Sequence, residues 1–215
     1  MIAAVVFDLD GVIVDSEQVW DEVREDYVRE TGGTYTDESA RDMMGMSSPE
    51  WSRYMAEALR VPGTAEEINA AIVERMLARY GEAPPLLPGA VDAVRRIGAW
   101  VPLAIASSSN RELIDVVLRA SGLKADFGAT VSSEEVPRGK PSPDVYLEAA
   151  RRLGVDPARC GAVEDSHNGI RSAKAAGMLV VAVPNPHYPP DDEALGLADV
   201  VVPLIDELQV EHFAV

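Results

Sequence analysis

The sequence predicts an α/β protein in which a doubly wound parallel sheet is interrupted by an all-helical segment. Three observations indicate this class. A continuous apolar run at residues 3–7 ends directly before Asp8, as in a strand that is buried on both faces of a sheet. From residue 15 to about residue 79, apolar residues recur only at helical spacing. After residue 88, strand and helix patterns alternate, as they do around a parallel sheet.

The individual elements follow from the same patterns. In the helical segment, Pro49 fits a first helical turn, and Thr64 with Glu67 forms a capping-box pattern. After residue 88, the predicted helices cover about 89–97, 111–120, 143–153 and 167–176, and the predicted strands cover 101–106, 129–132, 161–163, 179–183 and 199–202. We therefore expect a Rossmann-like core domain of residues 1–15 and 88–215, with a helical cap domain of residues 16–87 inserted into it.

Composition indicates a soluble globular protein. The 215 residues are 47% hydrophobic and 26% charged, and no apolar run is long enough to span a bilayer. The N-terminus lacks the basic region and the long apolar stretch of a secretion signal. The single cysteine, Cys160, cannot form an internal disulfide and precedes an apolar stretch, which favours a buried structural thiol and a cytoplasmic location.

The charge balance limits the possible partners. A formal net charge of −17 argues against nucleic acid, because binding to a phosphate backbone needs a basic face. A small anionic substrate would need a locally positive site, made by a metal ion, a few cations and helix N-termini. Lysines are scarce, since the chain has only Lys124, Lys140 and Lys174.

Polar residues follow several of the predicted strands. Ligands of open parallel sheets bind beyond the carboxyl ends of the strands, near the point where the strand order reverses. The residues expected to converge there are Asp8, Asp10, Ser107, Glu164 and Asp165, with Lys140 from a nearby loop. Four carboxylates at close range need a cation, and oxygen ligands without histidine or cysteine suit Mg²⁺.

Four sequence motifs resemble, in order, the signature motifs of the haloacid dehalogenase superfamily. The resemblance covers essentially the whole chain and is more narrowly to the β-phosphoglucomutase-like branch of sugar phosphatases and mutases. The motifs are Asp8-Leu9-Asp10-Gly11 with its continuation to Glu17, then Ser107, then Lys140-Pro141-Ser142-Pro143, and finally Glu164-Asp165-Ser166 with Gly169.

The resemblance implies a role for each matched residue. Asp8 would attack phosphorus to form an aspartyl-phosphate. Asp10 would protonate the leaving oxygen and later activate water, and its backbone carbonyl would contribute to the metal site. Asp165 with Asp8 would hold Mg²⁺, and Glu164 would assist directly or through the metal's water shell. Ser107 would bind the transferring phosphoryl group, and Lys140 would neutralise Asp8 and the phosphate oxygens.

Several candidate residues have both a functional and a structural interpretation. Ser107 also fits the N-terminal cap of a helix, and Lys140 also fits a solvated loop. Ser108 and Arg111 are candidate substrate contacts, although Arg111 fits a solvated helix face equally well. His167 is expected on a surface helix.

Within the cap, the candidate substrate contacts are Glu17, Trp20, Ser47 and Ser48. Glu17 and Trp20 lie just past the nucleophile loop, where the hinge and the roof of the pocket should meet, but Trp20 also fits core packing. Ser47 and Ser48 belong to a loop, Gly45-Met46-Ser47-Ser48, that matches in position a substrate-contacting loop of relatives.

Single residues distinguish a phosphatase from the other enzymes of this superfamily. Haloacid dehalogenases have no second catalytic aspartate, so Asp10 counts against dehalogenation. Phosphonatases of this superfamily need a cap lysine, and the first lysine here is Lys124. Mutases of the β-phosphoglucomutase branch carry a histidine at the position of Trp20 and an arginine near Ser48, and neither is present.

We therefore predict a Mg²⁺-dependent phosphomonoester phosphatase that acts through an aspartyl-phosphate. Its expected partner is a small phosphorylated metabolite, with a sugar phosphate as the favoured class, and neither nucleic acid nor a membrane. A β-phosphoglucomutase-type mutase is the alternative, and a catalytically silent binding module is the weaker third reading.

Overall fold

A computed structural model describes residues 1–43, 46–81, 83–186 and 189–214 of the chain. Its centre is a six-stranded sheet in which every pairing is parallel, with the strand order β3-β2-β1-β4-β5-β6. The strands are β1 (Ala4–Phe7), β2 (Leu103–Ser107), β3 (Phe127–Ser132), β4 (Cys160–Glu164), β5 (Leu179–Ala182) and β6 (Val200–Val201). The predicted doubly wound, Rossmann-like class is confirmed.

The α-helices fall into two groups. Five of them lie between β1 and β2; the first four belong to the helical segment, and the fifth with the remaining helices alternates with β2–β6. The first group is α1 (Glu17–Glu30), α2 (Asp37–Met43), α3 (Ser48–Glu57) and α4 (Ala65–Tyr80). The second group is α5 (Ala90–Gly98), α6 (Arg111–Ala120), α7 (Asp144–Leu153), α8 (His167–Ala175) and α9 (Asp192–Leu195). None of the helices in the described ranges is both long and apolar enough to cross a membrane.

Helices cover both faces of the sheet. On one face, Phe7 of β1 belongs to a buried cluster that includes Ile97 of α5 and Ile114 of α6. On the other face, Val6 belongs to a second cluster with Tyr146 of α7 and Cys160. The prediction of a buried thiol is therefore confirmed, and burial raises the pKa of Cys160 to about 11.

The strand order reverses at β1, which pairs with β2 on one side and β4 on the other. The register places Phe7 beside both Ile105 and Val163, and the Asp8 amide donates to the Val163 carbonyl at 2.9 Å. The carboxyl ends of β1, β2 and β4 therefore meet at one edge of the sheet. This is the switch point where ligands bind in open α/β sheets.

The segment with α1–α4 is joined to the rest by two chain stretches that run side by side. Val14 forms an isolated antiparallel bridge with Leu86, and the Asp15 amide donates to the Pro85 carbonyl at 2.7 Å. The predicted boundaries of core and cap, at residues 15/16 and 87/88, fall beside this pairing and stay a prediction.

Local signals set several helix ends. The capping box predicted at α4 is present, because the Glu67 amide donates to Thr64 Oγ1 and the Thr64 amide donates to Glu67 Oε2. Pro49 occupies the first turn of α3 as expected. Strands β2 and β4 each extend one residue further than predicted, so Ser107 and Glu164 are strand residues. The short helix α9 was not predicted.

Candidate active site

A buried ion-pair network joins three of the predicted residues. Lys140 Nζ donates to Asp8 Oδ1 at 2.7 Å and to Glu164 Oε1 at 2.6 Å. Asp8, Lys140 and Glu164 are at most 5% exposed. Lys140 reaches this position from the loop before α7, while Asp8 follows β1 and Glu164 ends β4. The lysine therefore neutralises two carboxylates from neighbouring strands, as buried charges require.

Glu164 is saturated with hydrogen bonds. Besides Lys140, Tyr146 donates its hydroxyl to Oε1 at 2.7 Å, and the amides of Asp165 and Ser166 donate to Oε2. A Cβ on Gly169 would lie 1.8 Å from Oε1, so only glycine fits there. Glu164 is thus held rigidly beside Lys140.

Three carboxylates form the only cluster in the described ranges that could hold a metal ion. Oxygens of Asp8, Glu164 and Asp165 lie within 4.8 Å of one another, and all three residues are buried. The loop after β1 closes against this cluster, because Gly11 has φ +76° and a Cβ there would lie 1.9 Å from Asp165 Oδ2. An all-oxygen donor set suits a hard divalent cation.

The hydrogen bonds of the three carboxylates show which of them can still bind a metal ion. Glu164 already accepts hydrogen bonds on both oxygens, whereas no hydrogen bond to the Asp165 carboxylate is found in the described part of the chain. Asp8 and Asp165 therefore have the free lone pairs for a metal. The side chain of Asp10 lies outside the cluster, and the metal contact of its backbone carbonyl stays a prediction.

Electrostatics in the cluster favour proton or metal binding. Burial raises the pKa of Asp8 well above its usual value, against the opposing effect of Lys140. Burial also raises the pKa of Asp165, and Glu164 and Asp8 add to the rise. For Lys140, burial alone would lower the pKa, but the charges of Asp8 and Glu164 outweigh it and hold the pKa above its usual value.

Asp10 has its own set of partners. Its Oδ1 accepts from Ser16 Oγ at 2.6 Å and from Trp20 Nε1 at 3.4 Å. Its Oδ2 accepts from Ser109 Oγ at 2.7 Å and from Ser107 Oγ at 3.3 Å. These donors fix the Asp10 carboxylate in the same cleft as Asp8, without sharing the lysine.

The serine run after β2 divides into different environments. Ser107 is fully buried, and its Oγ donates to Asp10 while accepting the Ser109 amide at 3.0 Å. Ser108 lines the cleft, and its buried Oγ has no hydrogen-bond partner within the described ranges. An orphaned buried hydroxyl fits a ligand oxygen. The phosphoryl contact predicted for Ser107 stays a prediction, and the geometry offers Ser108 for it more directly.

The cleft itself contains about 750 Å³ of space, part of it open to solvent. It lies between the sheet edge and the helical segment. Its lining residues are Asp8, Asp10, Glu17, Trp20, Arg24, Met43, Met46, Trp51, Ser108, Ser109, Lys140, Asp165, Ser166 and His167.

The predicted cap contacts are only partly brought into this cleft. Glu17 and Trp20 line it, but Ser47 and Ser48 do not. Ser47 Oγ donates to Glu50 at the start of α3, and Ser48 Oγ donates to Asn110 Oδ1 at 2.7 Å. Both serines are at most 5% exposed. Met44 and Gly45, which precede them in the sequence, lie outside the described residues.

Asn110 links the helical segment to the sheet domain. It accepts from Ser48 of α3, and its Nδ2 donates to Asn69 of α4 and to Glu134. Ser48 therefore serves this link in the structure, which accounts for its burial away from the cleft.

Arg111 is also turned away from the cleft. Its Nη1 donates to Thr130 Oγ1 at 2.7 Å, and it forms an ion pair with Glu135. The structure does not bring it to the other candidates, and its substrate contact stays a prediction.

Sequence reasoning missed several lining residues. Arg24 and Trp51 line the cleft, and Arg24 lies one helical turn after Trp20, a spacing that could have indicated the shared face. His167 lies on a helix as expected and is half-buried, and in addition it lines the cleft, which the sequence did not indicate. It begins α8 directly after the acidic motif.

Comparisons with known proteins identify the family to which this fold belongs. The family model of haloacid dehalogenase-like hydrolases matches residues 2–177. Hexitol phosphatase B of Escherichia coli (strain K12) is 36% identical over 218 residues, covering 96% of this chain and 94% of that protein. A probable pseudouridine-5'-phosphatase of Drosophila melanogaster is 33% identical, covering 97% of this chain and 92% of that protein.

A solved structure extends the likeness to three dimensions. CbbY from Rhodobacter sphaeroides, in complex with phosphate, has a TM-score of 0.87 and 28% identity, with 100% of both chains covered. The fold, the carboxylate pair and these relatives define a phosphatase. The chain belongs to the haloacid dehalogenase-like hydrolase family. Within it, the chain lies in the sugar phosphatase branch.

Proposed function

We propose that this protein is a Mg²⁺-dependent phosphatase of small sugar or sugar-alcohol phosphates that works through an aspartyl-phosphate on Asp8. One observation carries the proposal: Asp8 and Asp10 line the same cleft but have separate partners, Lys140 for Asp8 and hydroxyl groups for Asp10. Two carboxylates with different surroundings suit a nucleophile and an acid–base group. A cytoplasmic location accords with the lone, buried cysteine.

In the first step, a carboxylate oxygen of Asp8 attacks phosphorus, and the bond from phosphorus to the leaving oxygen breaks. Asp10 gives its proton to that oxygen, so the product leaves as a neutral alcohol. Lys140 holds Asp8 in place, and Ser108 offers its free hydroxyl to a phosphoryl oxygen. Mg²⁺ held by Asp8 and Asp165 would supply positive charge beside the transferring group.

In the second step, Asp10 takes a proton from a water molecule, whose oxygen attacks the phosphorus of the aspartyl-phosphate. The bond between phosphorus and Asp8 breaks, inorganic phosphate is formed, and Asp10 is protonated again for the next cycle. The hydrogen bonds from Ser16 and Ser109 keep the Asp10 carboxylate oriented for both transfers.

The substrate class rests on the relatives and on the cleft. Hexitol phosphatase B, at 36% identity over nearly the full length, supports a sugar-alcohol or sugar phosphate. A mutase remains the alternative. Against it, Trp20 places an indole N–H 3.4 Å from Asp10, where the mutase branch has a titratable histidine.

The test is phosphate release by the purified protein with Mg²⁺ from a panel of hexitol, hexose and pentose phosphates, pseudouridine 5'-phosphate and flavin mononucleotide. We expect kcat/KM of about 10⁴ M⁻¹s⁻¹ or more for the best polyol or sugar phosphate. Conversion of β-glucose 1-phosphate with a bisphosphate activator is measured in parallel. Efficient conversion with little phosphate release would establish the mutase instead.

Magnesium should stabilise the fold more strongly as the pH rises. The pKa values of Asp8 and Asp165 are raised in the folded protein. Their contribution to the metal-free stability is therefore complete below the ordinary carboxyl pKa and is lost as pH rises through the raised values. Mg²⁺ at about 100 times its Kd should add ~2.7 kcal/mol, or roughly 5–11 °C in Tm, at about pH 8.

The measurement is thermal unfolding with and without Mg²⁺ at about pH 8 and about pH 5.5. The shift should be small at the lower pH, where protons compete for the same carboxylates. Asp165→Asn should raise the metal-free Tm at the higher pH and abolish the Mg²⁺ shift. An equal Mg²⁺ shift at both pH values, or one that survives Asp165→Asn, would contradict the proposed metal site.

A further inference from the structure

Arg24 of α1 is a buried cation that the mechanism above does not use. It is 7% exposed, lines the cleft, and its Nε has no hydrogen-bond partner among the residues that the structure describes. Across the described part of the chain, no carboxylate lies within ion-pair distance of it. A buried guanidinium without such a partner is costly, which favours a ligand that supplies acceptor oxygens.

Two tryptophans hold the guanidinium in place. Arg24 Cζ lies 4.7 Å from the Trp20 ring centroid and 5.1 Å from that of Trp51. Aromatic faces attract a cation and immobilise its plane, but they offer no hydrogen-bond acceptor to its edge. Trp20 in turn donates to Asp10 at 3.4 Å, so the edge of Arg24 is positioned relative to the acid–base group.

The charges of the cleft indicate which acceptor fits. Four carboxylates line it, from Asp8, Asp10, Glu17 and Asp165, and Lys140 is already shared by Asp8 and Glu164. Burial lowers the pKa of Arg24, against the opposing effects of Tyr35, Glu17, Asp21 and Asp10. A second anionic group on the substrate would add to an existing excess of negative charge, whereas a hydroxyl oxygen adds none.

We infer that Arg24 is a specificity-determining residue that donates from its guanidinium edge to a hydroxyl oxygen of an uncharged, polyhydroxylated leaving group. Glu17 lies two helical turns before Arg24 on the same face of α1 and accepts a hydrogen bond from a second hydroxyl. A donor and an acceptor at fixed spacing recognise the pattern of hydroxyl groups in a sugar or sugar alcohol. This inference rests on the proposed phosphatase function and names the part of the substrate that this face of the cleft binds.

The experiment compares Arg24→Met and Arg24→Gln on three substrates. Glucitol 6-phosphate carries neutral hydroxyls, 6-phosphogluconate replaces the far hydroxyl with a carboxylate, and p-nitrophenyl phosphate has no hydroxyls on its leaving group. We expect Arg24→Met to lower kcat/KM for glucitol 6-phosphate about 10- to 100-fold, mainly through KM, and that for p-nitrophenyl phosphate less than about 3-fold. Arg24→Gln keeps an uncharged N–H donor and should retain activity within about 5-fold of the original protein.

Each other outcome overturns the inference in a distinct way. The unmodified protein could prefer 6-phosphogluconate, and both variants could lose kcat/KM equally. This outcome would show that Arg24 binds a second anionic group of the substrate. A parallel loss on all three substrates together with a lower Tm would make Arg24 a structural residue. Arg29→Met is the control, because Arg29 lies on the same helix but pairs with Glu25 on the surface. Failure of the unmodified protein on all three substrates would instead count against the phosphatase itself.

Discussion

Asp8→Asn should lower phosphate release by about 10⁴-fold or more, because an amide cannot form the acyl-phosphate. The substitution preserves the shape of the side chain and an oxygen that can accept the 2.7 Å hydrogen bond from Lys140. Since burial penalises the charged form of Asp8, the variant should be at least as stable as the original protein above neutral pH without metal. The loss of phosphate release is therefore expected in a variant that stays folded.

The measurement is single-turnover and steady-state hydrolysis, with Tm recorded for each protein. Asp26→Asn is the matched control, because it makes the same chemical change on an exposed carboxylate of α1 outside the cleft. It should change the rate less than about 2-fold, as surface substitutions usually do. Retention of a tenth of the original rate in Asp8→Asn would show that another residue is the nucleophile.

Much of the site was predictable because strand ends are fixed by topology. A buried parallel strand that ends directly before Asp8 and another that ends near Glu164 must bring these carboxylates together once the strands are neighbours. This argument needs only the apolar runs and their order along the chain. The position of Lys140 rests on weaker ground, since a loop residue is positioned by its neighbours. The sequence placed it near the pocket, but its pairing with Asp8 was implied only by the resemblance to the family.

Side-chain direction was less predictable than backbone position. Ser107 ends β2 and turns its Oγ to Asp10, whereas Ser108 lies just beyond the strand and lines the cleft. The directions of these side chains depend on where the strand ends, which the sequence pattern placed one residue too early. Arg111 follows the same run, but its side chain points away from the cleft. It hydrogen-bonds to Thr130 of β3 and pairs with Glu135 in the turn after β3. Such competition between acceptors depends on tertiary contacts that one sequence does not reveal.

Arg24 was missed for a different reason. Arginines are rarely buried, so a sequence pattern assigns them to the solvent face of a helix. Here the residues that bury Arg24 include Trp51, which lies on another helix and is distant in sequence. Helical spacing from Trp20 indicates a common face, but only the contact of Trp51 with Trp20 and Arg24 makes that face a wall of the cleft.

Asp10→Asn should lower the hydrolysis of an alkyl phosphate about 10²- to 10⁴-fold, the usual contribution of a positioned acid–base group. The loss should be smaller for the first step with p-nitrophenyl phosphate, because that leaving group departs without a proton. Water attack in the second step still needs the base, so the aspartyl-phosphate should accumulate. Asparagine keeps an acceptor for Ser109 or Ser16, so a gross change of the cleft is not expected.

The readouts are a burst of p-nitrophenol equal to the enzyme concentration and the added mass of one phosphoryl group on the protein. Asp10→Asn should show the burst. It should be absent in Asp8→Asn and in the double variant Asp8→Asn/Asp10→Asn, because both lack the nucleophile. Equal losses for the alkyl and aryl substrates, with no phosphorylated protein, would show that Asp10 only positions its neighbours. A burst that appears in Asp10→Asn and disappears when Asp8→Asn is added would instead assign different roles to the two carboxylates. Asp8 would then be the nucleophile of the first step, and Asp10 the base of the second.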